Sequence, residues 1–126
     1  MTHSPTPSPR DLLPLSPQQF HILLSLSSQD RHGYGIILDV ATRTGDELRM
    51  GTGTLYTAIG RLVALELIED TGIDDGRRRH YHLTRFGRSV LEAEAARLEA
   101  LVRLAQMEGI GGTARRRLHP GRGARS

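Results

Sequence analysis

The chain of 126 residues contains no cysteine and no lysine. Without cysteine it can form no disulfide, no thiolate metal site and no cysteine nucleophile. Without lysine, the glycine-rich stretch Gly51–Thr54 cannot be a P-loop, which needs a lysine for the phosphates. No run approaches the ~20 apolar residues of a membrane span, and the N-terminus lacks the apolar core of a secretory signal. We therefore expect a cytoplasmic protein.

Positive charge is unevenly spread along the chain. All 17 basic residues are arginine, against 14 acidic residues, for a net charge of +3. Residues 15–108 carry 11 arginines and 13 acids, whereas residues 115–126 carry five arginines and no acid. The high pI therefore belongs to the tail and does not by itself indicate nucleic acid. The arginines of the tail either add non-specific affinity for phosphate or are simply solvated, and the sequence does not choose between these two roles.

Composition divides the chain into four segments. Residues 1–14, rich in proline and small polar residues, predict a disordered lead-in, and residues 109–126 predict a disordered Gly- and Arg-rich tail. At 126 residues the chain is long enough for one domain with one core and too short for two ordinary ones, and that domain is expected over residues 15–84. Residues 85–108, rich in Ala, Leu, Glu and Arg, predict one long helix after that domain.

Three short helices are predicted within residues 15–65. Ser16, Pro17 and Gln19 form a capping box with proline at the first helical position, which predicts the start of the first helix. After a polar turn over residues 28–32, the second helix spans about Gly33–Thr44. Its predicted inner face consists of Tyr34, Ile37, Leu38 and Ala41.

The third helix spans about residues 52–65, after a short connection in which residues 48–50 suit a brief strand. Its apolar stripe follows an i, i+4, i+7, i+8 spacing, which is typical of one buried helix face. The residues of that stripe are Leu55, Ile59, Leu62 and Val63.

A β-hairpin is predicted next. Ile68–Ile73 and Arg79–Thr84 suit two strands, and Asp74, Asp75 and Gly76 form a turn signal between them. Thr84 then caps the long helix, which continues to about Met107. The predicted fold class is mainly α with a small β-hairpin: a winged helix-turn-helix domain followed by one long C-terminal helix.

The third helix and the hairpin both present groups that suit DNA. A recognition helix needs a side of small and polar residues that can enter a groove ~12 Å wide. Thr52, Thr54, Thr57 and Arg61 meet this need, and Arg61 could pair with guanine. Tyr56 lies at the border of that side, where it contacts phosphate or packs on the neighbouring helix.

The hairpin carries Arg77 and Arg78 at or just past its turn, where they are expected to reach phosphates or the minor groove. Asp74 and Asp75 oppose this by pairing locally with the arginines. A merely solvated hairpin is the alternative. The sequence thus predicts a DNA-binding protein with a helix and a wing.

The order of these motifs resembles the PadR family of bacterial transcriptional regulators. The matching stretches are ILLSL (22–26), HGYGI (32–36), GTLY (53–56), RLVALELIE (61–69) and RRRHYHLTRFGR (77–88). The resemblance covers about residues 15–106. The family usually has Ser-Pro before GTLY and often proline after the tyrosine, where this chain has Gly51-Thr52 and Thr57. Thr52 could therefore cap the recognition helix and shift its start by a residue.

The long helix carries an apolar seam that suits a second copy of the chain. A 4-3-4-3 spacing is typical of a coiled coil, and the winged domain can cover only its near end. Folding back on its own domain is the alternative. The predicted dimerisation residues are Leu91, Ala95, Leu98, Leu101, Val102 and Ala105.

The resemblance implies a homodimeric repressor that binds double-stranded DNA at an inverted repeat. No cofactor is expected. The residues themselves predict no enzyme activity, because they form no phosphate loop and no nucleophile elbow, and no membrane partner, because no apolar run is long enough to span a bilayer. An effector, if one acts, would bind between the dimer helices and the winged domains. Two alternatives stay open: an interaction module that has lost DNA binding, and a metal-responsive regulator using His80 and His82. Arg85 and Arg88, in the first turns of the long helix, suit a nearby phosphate or pairing with acids such as Glu92.

Overall fold

The computed structural model describes residues 7–76 and 78–111, and over those ranges it contains four α-helices and a three-stranded antiparallel sheet. The helices are α1 (Pro17–Ser28), α2 (Gly33–Arg43), α3 (Thr52–Ala64) and α4 (Arg85–Met107). The strands are β1 (Arg31–His32), β2 (Ile68–Asp75) and β3 (Arg78–Leu83), in the order β1-β3-β2. The predicted winged helix-turn-helix class is confirmed. In the described ranges we find no helix long and apolar enough to cross a membrane.

The start of α1 follows its sequence signal. The Ser16 hydroxyl accepts a hydrogen bond from the Gln19 N–H at 3.1 Å, and the Gln19 side chain accepts one from the Ser16 N–H at 3.0 Å. This capping box satisfies two backbone donors that the first turn of the helix leaves without partners. It fixes the point where the chain enters the domain.

Residues 7–14 are ordered, so the prediction of disorder is wrong for them. Ser8 caps a 3-10 helix over Pro9–Leu12. Leu12 and Leu13 pack against the core, as does Leu15. The Leu15 N–H donates to the buried carboxylate of Glu94 at 3.0 Å. The composition argument missed these three leucines, which tie the segment down; residues 1–6 lie outside the described residues.

The buried face of α2 differs from the predicted one. Gly33, Ile36 and Val40 are buried, whereas Tyr34 and Leu38 are 53% and 50% exposed. The sequence offers two overlapping stripes of small and apolar residues at helical spacing. The stripe that begins at Gly33 is the one that is buried, because glycine has no side chain and α3 can therefore approach α2 closely at this point.

Strand β1 forms where a polar turn was predicted. Arg31 pairs with Tyr81 and His32 with His80, so the chain joins the sheet just before α2 begins. The predicted strand at residues 48–50 is wrong. The Leu48 N–H is instead donated to the Thr44 hydroxyl at 3.0 Å, within the connection between α2 and α3.

An ion-pair network joins β1 to α2. Asp39 accepts from Arg43 at 2.7 Å and lies 3.4 Å from Arg31. Burial acts to raise the pKa of Asp39, but the hydrogen bond from Arg43 and the nearby guanidinium charges of Arg31 and Arg43 outweigh it and lower the pKa. Asp39 is therefore ionised at neutral pH and holds both arginines.

Helix α3 buries three of the four residues of the predicted stripe. Leu55, Ile59 and Leu62 are 4% exposed or less, whereas Val63 is 38% exposed. The helix begins at Thr52, with Gly51 as an N-cap that provides no side-chain hydrogen bond, so Thr52 does not cap it. The surrounding core consists of Ile22, Leu23, Leu26, Ile36, Val40, Met50, Leu67, Ile68, Tyr81, Leu83, Val90 and Leu91.

Helix α4 contributes to two compact units, which divide between Glu94 and Ala95. In the first, the Thr84 hydroxyl caps the helix by accepting from the Gly87 N–H at 2.8 Å, and Val90, Leu91 and Glu94 are buried. Leu91 was predicted to lie on the dimer seam. It is instead a core residue, 7% exposed, because the winged domain covers the first turns of α4.

The second unit, in its described part, consists of the rest of α4 and a closing turn. Gly109 has a φ of 81°, and the Ile110 N–H donates to the Ala105 carbonyl at 2.9 Å, which ends the helix. Leu98, Leu101 and Val102 are 38%, 49% and 53% exposed. Residues 112–126, where a disordered tail was predicted, lie outside the described residues.

We expect Gly87→Ala to destabilise the domain by roughly 1–3 kcal/mol, because the new methyl group would overlap the Leu67 carbonyl oxygen and the Leu83 side chain. Gly60→Ala is the matched control, since a methyl there meets nothing within 4 Å and alanine favours the helix by up to ~1 kcal/mol. Urea denaturation measures both changes. Equal stabilities of the two variants would contradict this close approach.

Candidate nucleic-acid interface

The outer side of α3 presents small and polar groups to solvent. Thr52, Thr54, Thr57 and Arg61 are all exposed, while the opposite side of the helix lies in the core. The helix therefore has one apolar side that docks and one polar side that is accessible. This arrangement suits insertion into a major groove.

A groove of about 530 Å³ lies between the start of α1 and the outer side of α3. Gln18 lines it together with Thr54, Thr57 and Arg61. Sequence reasoning missed Gln18, because it treated the first turn of α1 only as a helix start. The two glutamines in the first turn of α1, Gln18 and Gln19, were the available signal, but their proximity to α3 depends on the tertiary fold.

A second groove, of about 280 Å³, borders the C-terminal half of α3. It is lined by residues 11–15 together with Arg61 and Leu65. Arg61 therefore stands between two concavities, and Asp11 shares the second one with it. The ordered N-terminal segment forms one edge of the candidate interface.

Tyr56 packs against the neighbouring helix, which was one of its two predicted roles. A Cβ atom added at Gly33 would lie only 2.7 Å from the Tyr56 Cζ, and closer still to the Tyr56 hydroxyl. The ring is 50% exposed, so its remaining surface stays accessible.

Tyr81, on strand β3, has a perturbed hydroxyl. Burial raises the pKa of Tyr81, and the nearby Tyr56 and Asp70 contribute to that rise.

The wing is the hairpin of β2 and β3, with a register shift between Asp70 and Asp74. At the shift, Gly72 adopts a φ of 80° and its N–H donates to the Asp70 carboxylate at 2.8 Å. Arg79 donates to the other Asp70 oxygen at 2.5 Å. The Gly72 N–H and then Arg79 lower the pKa of Asp70, so the carboxylate is charged and neutralises Arg79.

Arg78 lies against the start of α2. Its Nη1 is 3.1 Å from His32 Nε2, and its guanidinium carbon is 5.8 Å from the centre of the Tyr34 ring, within cation–π range. The side chain is still exposed to solvent. Arg77, also predicted to contact DNA, lies outside the described residues.

Arg85 and Arg88 have different surroundings. Arg88 donates to the Ser27 carbonyl at 3.0 Å and so joins α4 to the end of α1. Arg85 lines a groove with Glu66, Glu69 and Asp70. The nearby acids give Arg85 a local counter-charge, which weakens the case for a phosphate there.

The two strand histidines have nearby protein partners. His82 Nδ1 is 2.7 Å from the Asp30 carboxylate, and the His80 ring stacks on His32 with centroids 5.6 Å apart. Across residues 7–76 and 78–111 we find no group of three or more potential metal ligands. The described geometry gives no support to the metal-responsive alternative.

Comparison with known proteins identifies the family. The family model "Transcriptional regulator PadR-like family" matches residues 22–93. The chain belongs to the PadR-like family. It is a DNA-binding transcriptional regulator, and the family is one of regulators, not of enzymes. The predicted resemblance is confirmed.

One curated protein and two solved structures illustrate what the chain is similar to. Uncharacterized protein X of Lysinibacillus sphaericus is 32% identical over 96 residues, which span 71% of this chain and 86% of that protein. A PadR family regulator from Clostridium difficile matches with a TM-score of 0.61 at 23% identity, over 73% of this chain and 97% of its own. A PadR-like regulator from Bacillus cereus gives 0.62 at 20% identity, over 82% and 96%. The two solved structures share the fold.

The contact between Tyr56 and Gly33 predicts a coupled pair. We expect Gly33→Ala to destabilise the protein by roughly 1–3 kcal/mol, because the new methyl would displace the Tyr56 ring. In a Tyr56→Ala background that ring is gone, and the same substitution should cost much less. Urea denaturation of all four proteins in the double-mutant cycle measures the coupling. An unchanged cost in the Tyr56→Ala background would exclude the contact.

Proposed function

We propose that the protein is a homodimeric repressor that binds an inverted-repeat operator with α3 in the major groove. The observation that carries this proposal is the two-sided character of α3. Leu55, Ile59 and Leu62 are buried, while Thr54, Thr57 and Arg61 are exposed beside an open groove. Threonine can bind phosphate or contact a thymine methyl, and arginine can donate two hydrogen bonds to guanine.

The wing supplies the second proposed contact. Arg79 is neutralised by Asp70, so Arg77 and Arg78 are the cations that we assign to the DNA backbone or the minor groove. Phosphate contacts fix the position of the protein along the duplex but do not distinguish one base sequence from another. In the proposal α3 therefore selects the site and the wing adds affinity.

Dimerisation is supported by the exposed apolar residues of α4 beyond Glu94. Leu98, Leu101, Val102 and Ala105 follow an i, i+3, i+4, i+7 spacing, and the first three are 38% exposed or more. Exposing these apolar side chains to water is unfavourable, and the same helix of a second copy would cover them. Ala95 extends the stripe by one turn. A twofold dimer would set two α3 helices about 34 Å apart, which calls for an inverted repeat.

The assignment as a repressor is an inference from the family. In this proposal a small effector would act by changing the separation of the two α3 helices, which lowers affinity for a fixed operator. Selection of bound fragments from the native genome would identify the operator. Transcription in vitro from a promoter that carries it should fall when the protein is added; a rise would show an activator.

We expect Arg61→Ala to weaken binding to the selected operator by roughly 1–3 kcal/mol and to change binding to random DNA little, because the lost contact would be to a base. Arg77→Ala combined with Arg78→Ala should weaken both DNAs alike and reduce the dependence on salt. Fluorescence anisotropy at several salt concentrations measures both effects. Equal losses on the two DNAs for Arg61→Ala would remove it from base recognition. Failure of the wild-type protein to bind either DNA, even at low salt, would favour an interaction module.

We expect Leu101→Glu to convert the dimer into a monomer, because a carboxylate would replace an apolar side chain at the centre of the stripe. Analytical ultracentrifugation gives the mass, and circular dichroism checks that the helices remain. Ala100→Glu is the matched control, since it adds the same charge at the adjacent exposed position, off the stripe. A monomeric wild-type chain, or a Leu101→Glu variant that still dimerises, would contradict this interface.

A further inference from the structure

Gln18 lies in the first turn of α1, between the two residues of the capping box. Ser16 and Gln19 bond to each other's backbone N–H groups at 3.1 and 3.0 Å, so the direction of the backbone on both sides of Gln18 is fixed. The cap uses the Gln19 side chain, whereas the half-buried Gln18 side chain lines the groove between α1 and α3. Gln18 is therefore held at this groove by a well-defined part of the chain.

Small residues of α3 form the opposite wall of the groove. A Cβ atom added at Gly53 would meet nothing within 4 Å, which shows how open this wall is. The volume of about 530 Å³ falls within the range of ~300–1,000 Å³ that ligand pockets occupy. A group much larger than a water molecule therefore fits. The residues of the wall are Gly53, Thr54, Thr57, Ala58 and Arg61.

A helix that enters the major groove lies between two sugar–phosphate strands. With its side chains an α-helix is ~10–12 Å across, and the groove is ~12 Å wide. Little space remains beside the helix, so the strands that border the groove pass against whatever flanks it. The start of α1 flanks α3, and with α3 in the major groove one strand would pass through the groove that Gln18 lines.

The lining of this groove suits the backbone of DNA. Ala58 and the threonine methyl groups offer apolar contacts for deoxyribose, and the Gln18 amide can donate to a phosphate oxygen. Glutamine is among the side chains that make such contacts in protein–DNA complexes. Of the described residues that line the groove, Arg61 is positively charged and none is acidic. An anion is thus favoured here, in contrast to the groove beside Arg85.

We propose that Gln18 donates a hydrogen bond to a backbone phosphate of the operator, so that α1 binds DNA together with α3 and the wing. This inference rests on the proposed DNA-binding function and deepens it, because it assigns to α1 one of the strands that border the major groove. Such a contact adds affinity on any sequence and helps to fix the position of α3 along the duplex.

Two charged substitutions test this contact, because their effects on DNA affinity and on stability run in opposite directions. Gln18→Glu places a negative charge against the phosphate, and Gln18→Lys a positive one. The dipole of α1 favours glutamate in the first turn of the helix and disfavours lysine there. We expect DNA affinity to rise from Gln18→Glu through the wild type to Gln18→Lys, while thermal stability falls in that order. Affinities that follow the stabilities would overturn the proposal.

Gln18→Ala measures the size of the contact. Glutamine and alanine are both good helix formers, so the fold should be retained. Fluorescence anisotropy should show a loss of roughly tenfold on operator and random DNA alike, the size of one hydrogen bond to a charged group. Gln18→Lys should steepen the salt dependence by about 0.9, the value for one phosphate.

Gln29 provides the matched control, because it is exposed at the other end of α1. Gln29→Glu and Gln29→Lys introduce the same charges away from the groove and should leave the salt dependence unchanged. Changes at Gln29 as large as those at Gln18 would reduce the effect to net charge and overturn the proposal.

The remaining outcomes distinguish this inference from the function on which it rests. Failure of the wild-type protein to bind any duplex would overturn both. Unchanged affinity of Gln18→Ala, or a loss confined to the operator, which would assign Gln18 to a base, would overturn only the phosphate contact.

Discussion

Burial of one side of α3 is the constraint on which the rest of the molecule depends. Leu55, Ile59 and Leu62 occupy the centre of the core, so the rotation of the helix about its axis is fixed. Because a helix turns about 100° per residue, fixing that side also fixes where Thr57 and Arg61 point. The orientation of the polar side is thus a result of hydrophobic packing, and no polar contact is needed to set it.

Polar side chains then join segments that are distant in the chain. Thr84 accepts from Gly87 and donates toward the Glu66 carbonyl, so it links the start of α4 to the end of α3. Glu94 holds the N-terminal segment through the Leu15 N–H. Each of these side chains forms a hydrogen bond with a backbone N–H or C=O group at the end of an element, where backbone groups lack partners within the helix. These two polar side chains therefore fix directions that apolar contacts alone would leave loose.

The sequence predicted the features whose causes are local. The capping box at Ser16 depends on three adjacent residues, and the stripe of α3 on a spacing within one helix. It failed where the cause is tertiary. The face of α2 was wrong because two stripes compete and the close approach at Gly33 decides between them. A two-residue strand at Arg31 has no pattern of its own and exists only because β3 pairs with it.

The candidate site also contains features with local causes, which were predicted, and features with tertiary causes, which were not. The exposure of Arg61 follows from helical periodicity and was predicted. The pairing of Arg79 with Asp70 depends on the register shift in β2, and the placement of Arg78 beside His32 depends on β1. Such neighbours cannot be derived from spacing along the chain.

The ordered segment before α1 has a practical consequence for handling the protein. Residues 11–15 form one wall of the groove beside Arg61, and the Glu94 carboxylate fixes the end of that wall. An affinity tag or fluorescent label joined within residues 11–15 would lie against the surface assigned to the operator. Its bulk would hinder the docking of a duplex there. Labels for binding measurements are therefore better kept away from this segment.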